Sequence, residues 1–293
     1  MDNANSSGGA RLRELLAEDG ILVVPGAYNA LIARMIEDAG FKACYATGAG
    51  IANTQLGLPD VGLLSFGEIV QQIHYICGTT SLPVIADADT GYGNPLNVYR
   101  TVREFERAGV AAIQIEDQAD PKRCGHFEGK EVIPAQDMVQ KVRAACDARQ
   151  NPATVIIART DARATLGLEE ALQRADLYHN AGADVTFVEA PSNEAELRMV
   201  SALGFPQVAN MVEGGMTPLY SAAELRDMGF KIVIFANAPL RAGMKATSEL
   251  LAHLKDKGTT SDTLDRIASF PERNAATRLP WIMEMEQRYR TTS

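Results

Sequence analysis

The chain has 293 residues, 46% of them hydrophobic and 22% charged, with a net charge of −9 and a pI near 5.1. Length and composition fit one large α/β barrel or two smaller domains. The acidic balance, without any block of lysine or arginine, argues against nucleic acid and anionic membrane as partners, and no apolar run approaches spanning length.

Residues 1–10 read as a flexible tail, rich in Asn, Ser and Gly at the start and without the apolar centre of a signal peptide. Apolar, β-branched runs then recur at 21–25, 43–47, 83–88, 111–116, 154–159, 184–189, 207–210 and 232–237, separated by amphipathic helical stretches. The runs are continuous rather than alternating, which suits parallel strands buried on both faces. Gly40, Gly109, Gly182 and Gly229 sit where left-handed helix C-caps belong, each shortly before a strand. Eight strand–helix units over about residues 11–257 predict a (β/α)8 TIM-type barrel. A doubly wound open sheet is the alternative, but no G-x-G-x-x-G follows the first strand, so a dinucleotide site is not supported. Residues 258–293 form a helical extension of the same single domain, with helices expected over 261–269 and 271–290. The second carries Trp281, Ile282, Met285 and Tyr289 on one side, which fits exchange between subunits; packing on its own barrel is the alternative.

A barrel places its chemistry at the carboxyl ends of the strands. Thr47, Asp87, Asp89, Glu116, Arg159, Glu189, Asn210 and Asn237 each end or follow an apolar run. Asp87-Ala88-Asp89, followed by Thr90-Gly91-Tyr92-Gly93, offers carboxylates for Mg²⁺, which takes an oxygen-only octahedral shell; Glu116 could add a third. A capping turn is the other reading of that motif. Arg159 is suited to a bidentate grip on a carboxylate, or to an ion pair with Glu189 or Asp161. Lys122-Arg123-Cys124-Gly125-His126 sets a thiol between cations, which stabilise a thiolate or speed proton exchange; a solvated basic turn is the alternative. Cys44, Cys77, Cys124 and Cys146 lack the spacing of zinc or disulfide frameworks and read as reduced thiols of the cytoplasm. His74, His179 and His253 fall in helical stretches, and Glu213-Gly214-Gly215 is a turn that could approach an anion.

With Pro25-Gly26-Ala27, Leu56-Gly57-Leu58-Pro59-Asp60, Ile115-Glu116-Asp117-Gln118, Ala158-Arg159-Thr160-Asp161 and Val188-Glu189-Ala190 added to these motifs, the chain resembles the isocitrate lyase and phosphoenolpyruvate mutase superfamily. The resemblance runs from about Arg11 to Tyr289. The K-(K/R)-C-G-H loop, matched in full, points to the lyase branch of 2-methylisocitrate and 2,3-dimethylmalate lyase type.

The resemblance implies Mg²⁺-dependent, retro-aldol cleavage of a 2-hydroxy di- or tricarboxylate to a keto acid and a carboxylate; Mn²⁺ is an expected substitute. Asp89 would ligate the ion, with Asp87, Glu116 and Asp60 holding its waters. Tyr45, Thr47, Gly48 and Ala49 would line the 2-hydroxy-acid end. Arg159 would clamp a carboxylate, with Glu189 and Asn210 completing the polar wall and Gly125 contributing from the loop. Cys124 would be the general acid, tuned by Lys122 and His126, with Glu116 beside them in the catalytic set. Arg241 would meet a third carboxylate, Arg273 keeps a similar match, and Phe187 with Ile234 would form an apolar wall. A homotetramer is expected. Thr47-Gly48-Ala49-Gly50 and the 235–240 stretch depart from methylisocitrate lyases, and 210–215 looks more like the dimethylmalate group. Oxaloacetate hydrolysis or decarboxylation is the alternative within the superfamily, ahead of phosphonate chemistry or a non-catalytic dicarboxylate-binding barrel.

Overall fold

Eight parallel strands, all recognisable in the sequence, form a nearly closed barrel in this computed structural model, which describes residues 7–122 and 129–290. They are β1 (Leu22–Ala27), β2 (Cys44–Ala46), β3 (Val84–Asp87), β4 (Ala112–Glu116), β5 (Val155–Thr160), β6 (Val185–Val188), β7 (Val208–Asn210) and β8 (Ile232–Phe235). The hydrogen-bonded order is β6-β5-β4-β3-β2-β1-β8-β7. A parallel bridge between Thr186 and Gln207 joins the two remaining edges, and the buried Thr186 hydroxyl donates to Gln207 Oε1 at 2.9 Å. The open-sheet alternative is thereby excluded.

Alternation along each strand divides the core in two. Leu22, Val24, Tyr45, Ile85, Ala112, Val155, Ile157, Val185, Phe187, Val208, Ile232 and Ile234 fill the lumen. Cys44, Val84, Ala86, Ile113, Ile115, Ile156 and Ala158 face outward, onto helices such as Pro95–Ala108 and Ala135–Ala148. The first of these helices starts at a capping box of Asn94 and Asn97, with Pro95 in its first turn, and ends at Gly109 with φ 103°. Both ends therefore follow from local sequence.

Residues 8–10 depart from the expected tail. Gly8–Ala17 is a helix capped by Ser7, and its Leu12 and Leu15 are buried among the lumen residues. Burial of two leucines is worth about 1.5–3 kcal/mol each, enough to order a helix that composition alone reads as loose.

The chain divides into two compact units, Met1–Pro239 and Leu240–Ser293. In the second unit the expected 261–269 helix is only a 3-10 turn, Leu264–Arg266, and the expected 271–290 helix is two, Phe270–Ala276 and Leu279–Arg288. Ser269 and Glu272 start the first with a capping box, Arg278 then takes a left-handed φ of 57°, and Pro280 opens the next. Proline lacks the N–H a continuous helix would need there. Trp281, Ile282 and Tyr289 are exposed. Among the described residues no helix is long and apolar enough to cross a membrane.

Candidate active site

The parity that buries valine and isoleucine lower in the lumen turns polar side chains inward at the carboxyl ends of the same strands. Tyr45, Asp87, Glu116, Arg159, Asn210 and Ile234 on the strands, with Thr47, Ala49, Asp60, Lys122, Glu189, Val212, Ala236 and Asn237 beyond them, line one cavity. A larger open groove of about 520 Å³ lies at the amino ends, around Leu15, Gly20, Leu22, Lys42 and Arg226. Its one acid–base pair within ion-pairing distance, Lys42 with Glu18, is well exposed, so volume does not locate the site and convergence of buried polar groups does.

Asp87 and Asp89 reach the same space through a local backbone device. Asp89 has φ 47° and its N–H donates to Asp87 Oδ1 at 3.0 Å, so the chain turns at the strand end while the two carboxylates, two residues apart, stay on the same side. Gly48 lies against both: an added Cβ would stand 3.0 Å from Asp87 Oδ2 and 3.3 Å from Asp89 Oδ1. The glycine thus lets the β2 end approach two carboxylates closely. Thr47 caps the helix Gly48–Leu56 and donates to Asn237 Oδ1 at 3.2 Å.

Across the cavity, Arg159 is held by acids. Its Nε and Nη2 donate to Asp161 at 2.8 and 3.0 Å, Nη1 lies 3.1 Å from Glu189, Nε lies 3.3 Å from Glu116, and the guanidinium sits 5.1 Å from the centre of the Phe187 ring. The ion-pair and clamp readings are thus not exclusive: Asp161 fixes one edge while Nη1 lies on the Glu189 side. Lys130 also reaches Asp161, at 2.9 Å. Asn210 donates to Glu189 at 3.2 Å, and the Ala190 N–H donates to the same carboxylate at 3.0 Å.

A deeper network, only partly signalled by sequence, stands behind this wall. Asp117 Oδ2 accepts from the Thr160 hydroxyl (2.7 Å), the Tyr178 hydroxyl (2.8 Å) and Arg174 (3.0 Å), while Oδ1 accepts from the Asp161 N–H (2.9 Å). The Glu116-Asp117 pair marked a strand end; alternation sends the first side chain into the cavity and the second to the supporting layer. Arg174 lies at a buried position of the helix Leu168–Asn180, and only that inward placement of a charged residue could have hinted at its partner.

Charge is unevenly balanced. The Asp89 carboxyl is pushed up to about 6, by burial first and also by Asp87 and Asp60, with the Lys122 ammonium opposing them. Glu116 is raised well above the carboxylate range by burial, partly opposed by Arg159. Burial would lower Lys122, but Asp89, Asp60, Glu116 and Asp87 override it and hold the ammonium well above its ordinary range. Burial would raise Asp161, yet Arg159 and Lys130 bring it down to about 2. Tyr45 is raised by burial first and then by Asp87, so it is a neutral phenol in the resting site.

Asp89 Oδ1, Glu116 Oε1 and Asn210 Oδ1 are buried oxygens without a hydrogen-bond donor. An oxygen-only donor set of this kind suits a hard cation. Among the described residues no group of three His, Cys, Asp or Glu side chains is placed to hold a metal ion by itself. Cys124, Gly125 and His126 lie outside the described residues, and Arg241 and Arg273 lie in the second unit.

The family model for phosphoenolpyruvate phosphomutase matches residues 12–255. The chain belongs to the PEP mutase/isocitrate lyase superfamily. It is 46% identical over 284 residues to the 2,3-dimethylmalate lyase of Eubacterium barkeri, covering 96% of this chain and 98% of that one. It is also 46% identical over 260 residues to the 2-methylisocitrate lyase of Aeropyrum pernix, covering 88% and 83%. A solved oxaloacetate acetylhydrolase in complex with 3,3-difluorooxalacetate superposes with a TM-score of 0.91 at 36% identity, covering 96% of each chain. Within the superfamily, similarity to two lyases over nearly its whole length makes this chain a carbon–carbon lyase.

Proposed function

We propose that this superfamily member cleaves 2-methylisocitrate or a related 2-alkylmalate to a 2-keto acid and a carboxylate, with Mg²⁺ as cofactor and Cys124 as general acid. The observation that carries the reading is one cavity lined by Asp60, Asp87, Glu116 and Arg159, with Asp89 beside Asp87 against Gly48. Asp89 would hold the cation, with Asp87, Asp60 and Glu116 binding its waters. When bound, the ion supplies Lewis-acid stabilisation of the substrate's 2-hydroxyl oxygen as its proton leaves.

The chain's own groups account for the rest. Arg159, its plane fixed by Asp161, holds a substrate carboxylate, and Glu189 and Asn210 complete the polar wall. As a base in the cavity takes the hydroxyl proton, the keto carbonyl forms and the adjacent carbon–carbon bond breaks, its bonding pair moving to the departing carboxylate's α-carbon. Cys124 then delivers its proton to that carbon, with Lys122 and His126 setting its acidity. Ile234, which lines the cavity, supplies apolar surface for an alkyl substituent, whereas the expected partner Phe187 is fully buried against the Arg159 guanidinium.

The enzyme acts in the cytoplasm as a homotetramer on this reading. An open apolar groove of about 400 Å³ outside β1 and β8, lined by Val23, Pro25, Ile32, Met35, Phe41 and Phe235, fits a helix from a second copy. Hydrolysis of oxaloacetate is the second reading, because the acetylhydrolase superposes as well as a solved 2,3-dimethylmalate lyase, each with a TM-score of 0.91. Purified protein with Mg²⁺ separates them in an assay against 2-methylisocitrate, 2,3-dimethylmalate, isocitrate and oxaloacetate. Keto acid from an alkylated substrate is expected; oxalate and acetate from oxaloacetate, with no keto acid from the others, would overturn the lyase proposal.

A further inference from the structure

The acidic side of the cavity already holds a cation. Lys122 Nζ lies 2.5 Å from Asp60 Oδ1 and 2.7 Å from Asp89 Oδ1, with its side chain only 5% exposed. The first contact is a directed hydrogen bond. The second is an ion pair without hydrogen-bonding angles, which leaves Asp89 Oδ1 without a donor. We infer that Lys122 is an internal counter-ion of the metal site: its ammonium and the divalent cation are alternative occupants of the Asp60–Asp89 pair, and metal loading requires the lysine to withdraw.

The inference rests on the proposed metal reading and on three further observations. Mg²⁺ binds carboxylate oxygen at about 2.1 Å, so an ion on Asp89 Oδ1 would stand within roughly 5 Å of an ammonium 2.7 Å from the same atom. Like charges at that separation in a buried site repel strongly. The cavity that Lys122 helps to line has a volume of about 50 Å³, room for a few waters and not for a tricarboxylate. Withdrawal of this side chain enlarges it at the end where substrate oxygens would reach the ion. Finally, Asp60, Asp87, Glu116 and Lys122 line one cavity, Asp89 meets Lys122 at its edge, and the same ammonium acts electrostatically on Asp89, Glu116 and Asp60 or is acted on by them. Exchange of one cation for another keeps that acidic set compensated throughout, which simple expulsion of the lysine would not.

Full-length protein stripped with chelator and then titrated with Mn²⁺ provides the test. Lysine acylation by acetic anhydride, read by mass spectrometry, should find Lys122 protected in chelator and about tenfold more reactive at saturating Mn²⁺. Lys245, which is 77% exposed, should react equally in both. Mn²⁺ binding measured by electron paramagnetic resonance should tighten at least tenfold in Lys122→Met and stay near wild type in Lys122→Arg, which keeps a competing charge. Mn²⁺ binding with unchanged Lys122 reactivity would overturn the exchange, even if Lys122→Met bound more tightly, because repulsion without displacement gives that pattern. Absence of Mn²⁺ binding in wild type and both variants would instead remove the metal reading, and this inference with it. The labelling comparison needs only wild-type protein, so a poorly folding variant does not decide the result.

Discussion

Asp117→Asn is the substitution for which the structure supplies the sharpest reckoning. The wild-type carboxylate accepts from four donors, three on Oδ2 and one on Oδ1. Burial pushes this carboxyl up while the donors draw it down. An asparagine of the same shape must place its oxygen toward one set and its NH₂ toward the other. The better choice points oxygen at Thr160, Tyr178 and Arg174, which sets the amide donor against the Asp161 N–H. A buried donor left unpaired costs about 1–3 kcal/mol, and breaking a buried ion pair costs about 3–5 kcal/mol. Arg174 keeps the Ile133 carbonyl at 2.8 Å and Glu170 at 2.8 Å, so the lower end applies and we expect a loss of about 3 kcal/mol. At roughly 2–4 °C per kcal/mol for a large domain, Tm falls by about 6–12 °C. Because the Asp161 N–H loses its anchor, the grip on Arg159 loosens too, and kcat/KM should fall tenfold or more with Mn²⁺ affinity unchanged. Differential scanning calorimetry and steady-state kinetics measure both. A Tm within 2 °C of wild type would show that the network carries none of the stability assigned to it.

Three further outcomes are expected. Cys124→Ala should leave substrate affinity, measured by calorimetry, within a few-fold while turnover falls about 10²–10⁴-fold; a loss of less than tenfold would rule out Cys124 as the general acid. Asp161 has a folded pKa of about 2 against an unfolded value near 3.9, so its stabilisation is complete above about pH 4 and disappears as pH falls through 2. The stability gap between wild type and Asp161→Asn in urea should therefore be about 2–3 kcal/mol larger at pH 5 than near pH 2; a gap independent of pH would contradict that assignment. Trp281→Asp, on the exposed face of the last helix, should lower the assembly mass in sedimentation velocity, and an unchanged mass would place the subunit interface elsewhere.

The barrel was legible because its signal repeats: eight apolar runs, helix-ending glycines, and a polar residue at nearly every strand end. Most of the cavity lining followed, since strand-end position and rim position are the same thing in this fold. What stayed hidden depends on contacts distant in sequence or on single dihedral angles. Asp117 meets Arg174 and Tyr178 from 57 and 61 residues away, and no local pattern announces such a pair. The turn at Asp89 rests on one left-handed φ that alanine at 88 and threonine at 90 do not advertise. Gly8 and Gly9 disguise a helix whose order comes from two leucines seated in the barrel, while Pro280 breaks an otherwise periodic stretch.

On the proposed reading, the site's charge also bears on what a cation does for this chemistry. Among the described residues, Asp60, Asp87, Asp89, Glu116, Asp161 and Glu189 stand at or beside the cavity against Lys122, Lys130 and Arg159. A di- or tricarboxylate approaching this set meets acids in excess, and Asp161 already occupies one edge of Arg159. On the proposed reading, a divalent ion therefore performs two tasks in one place. It reverses the local field that would repel the substrate, and it stabilises the oxygen left behind when the hydroxyl proton departs. Replacing either Asp87 or Asp89 by alanine lowers the repulsion but also removes the means of reversing it. Substrate affinity without metal should then rise while cleavage is lost, opposite movements that a purely structural role for these carboxylates would not produce.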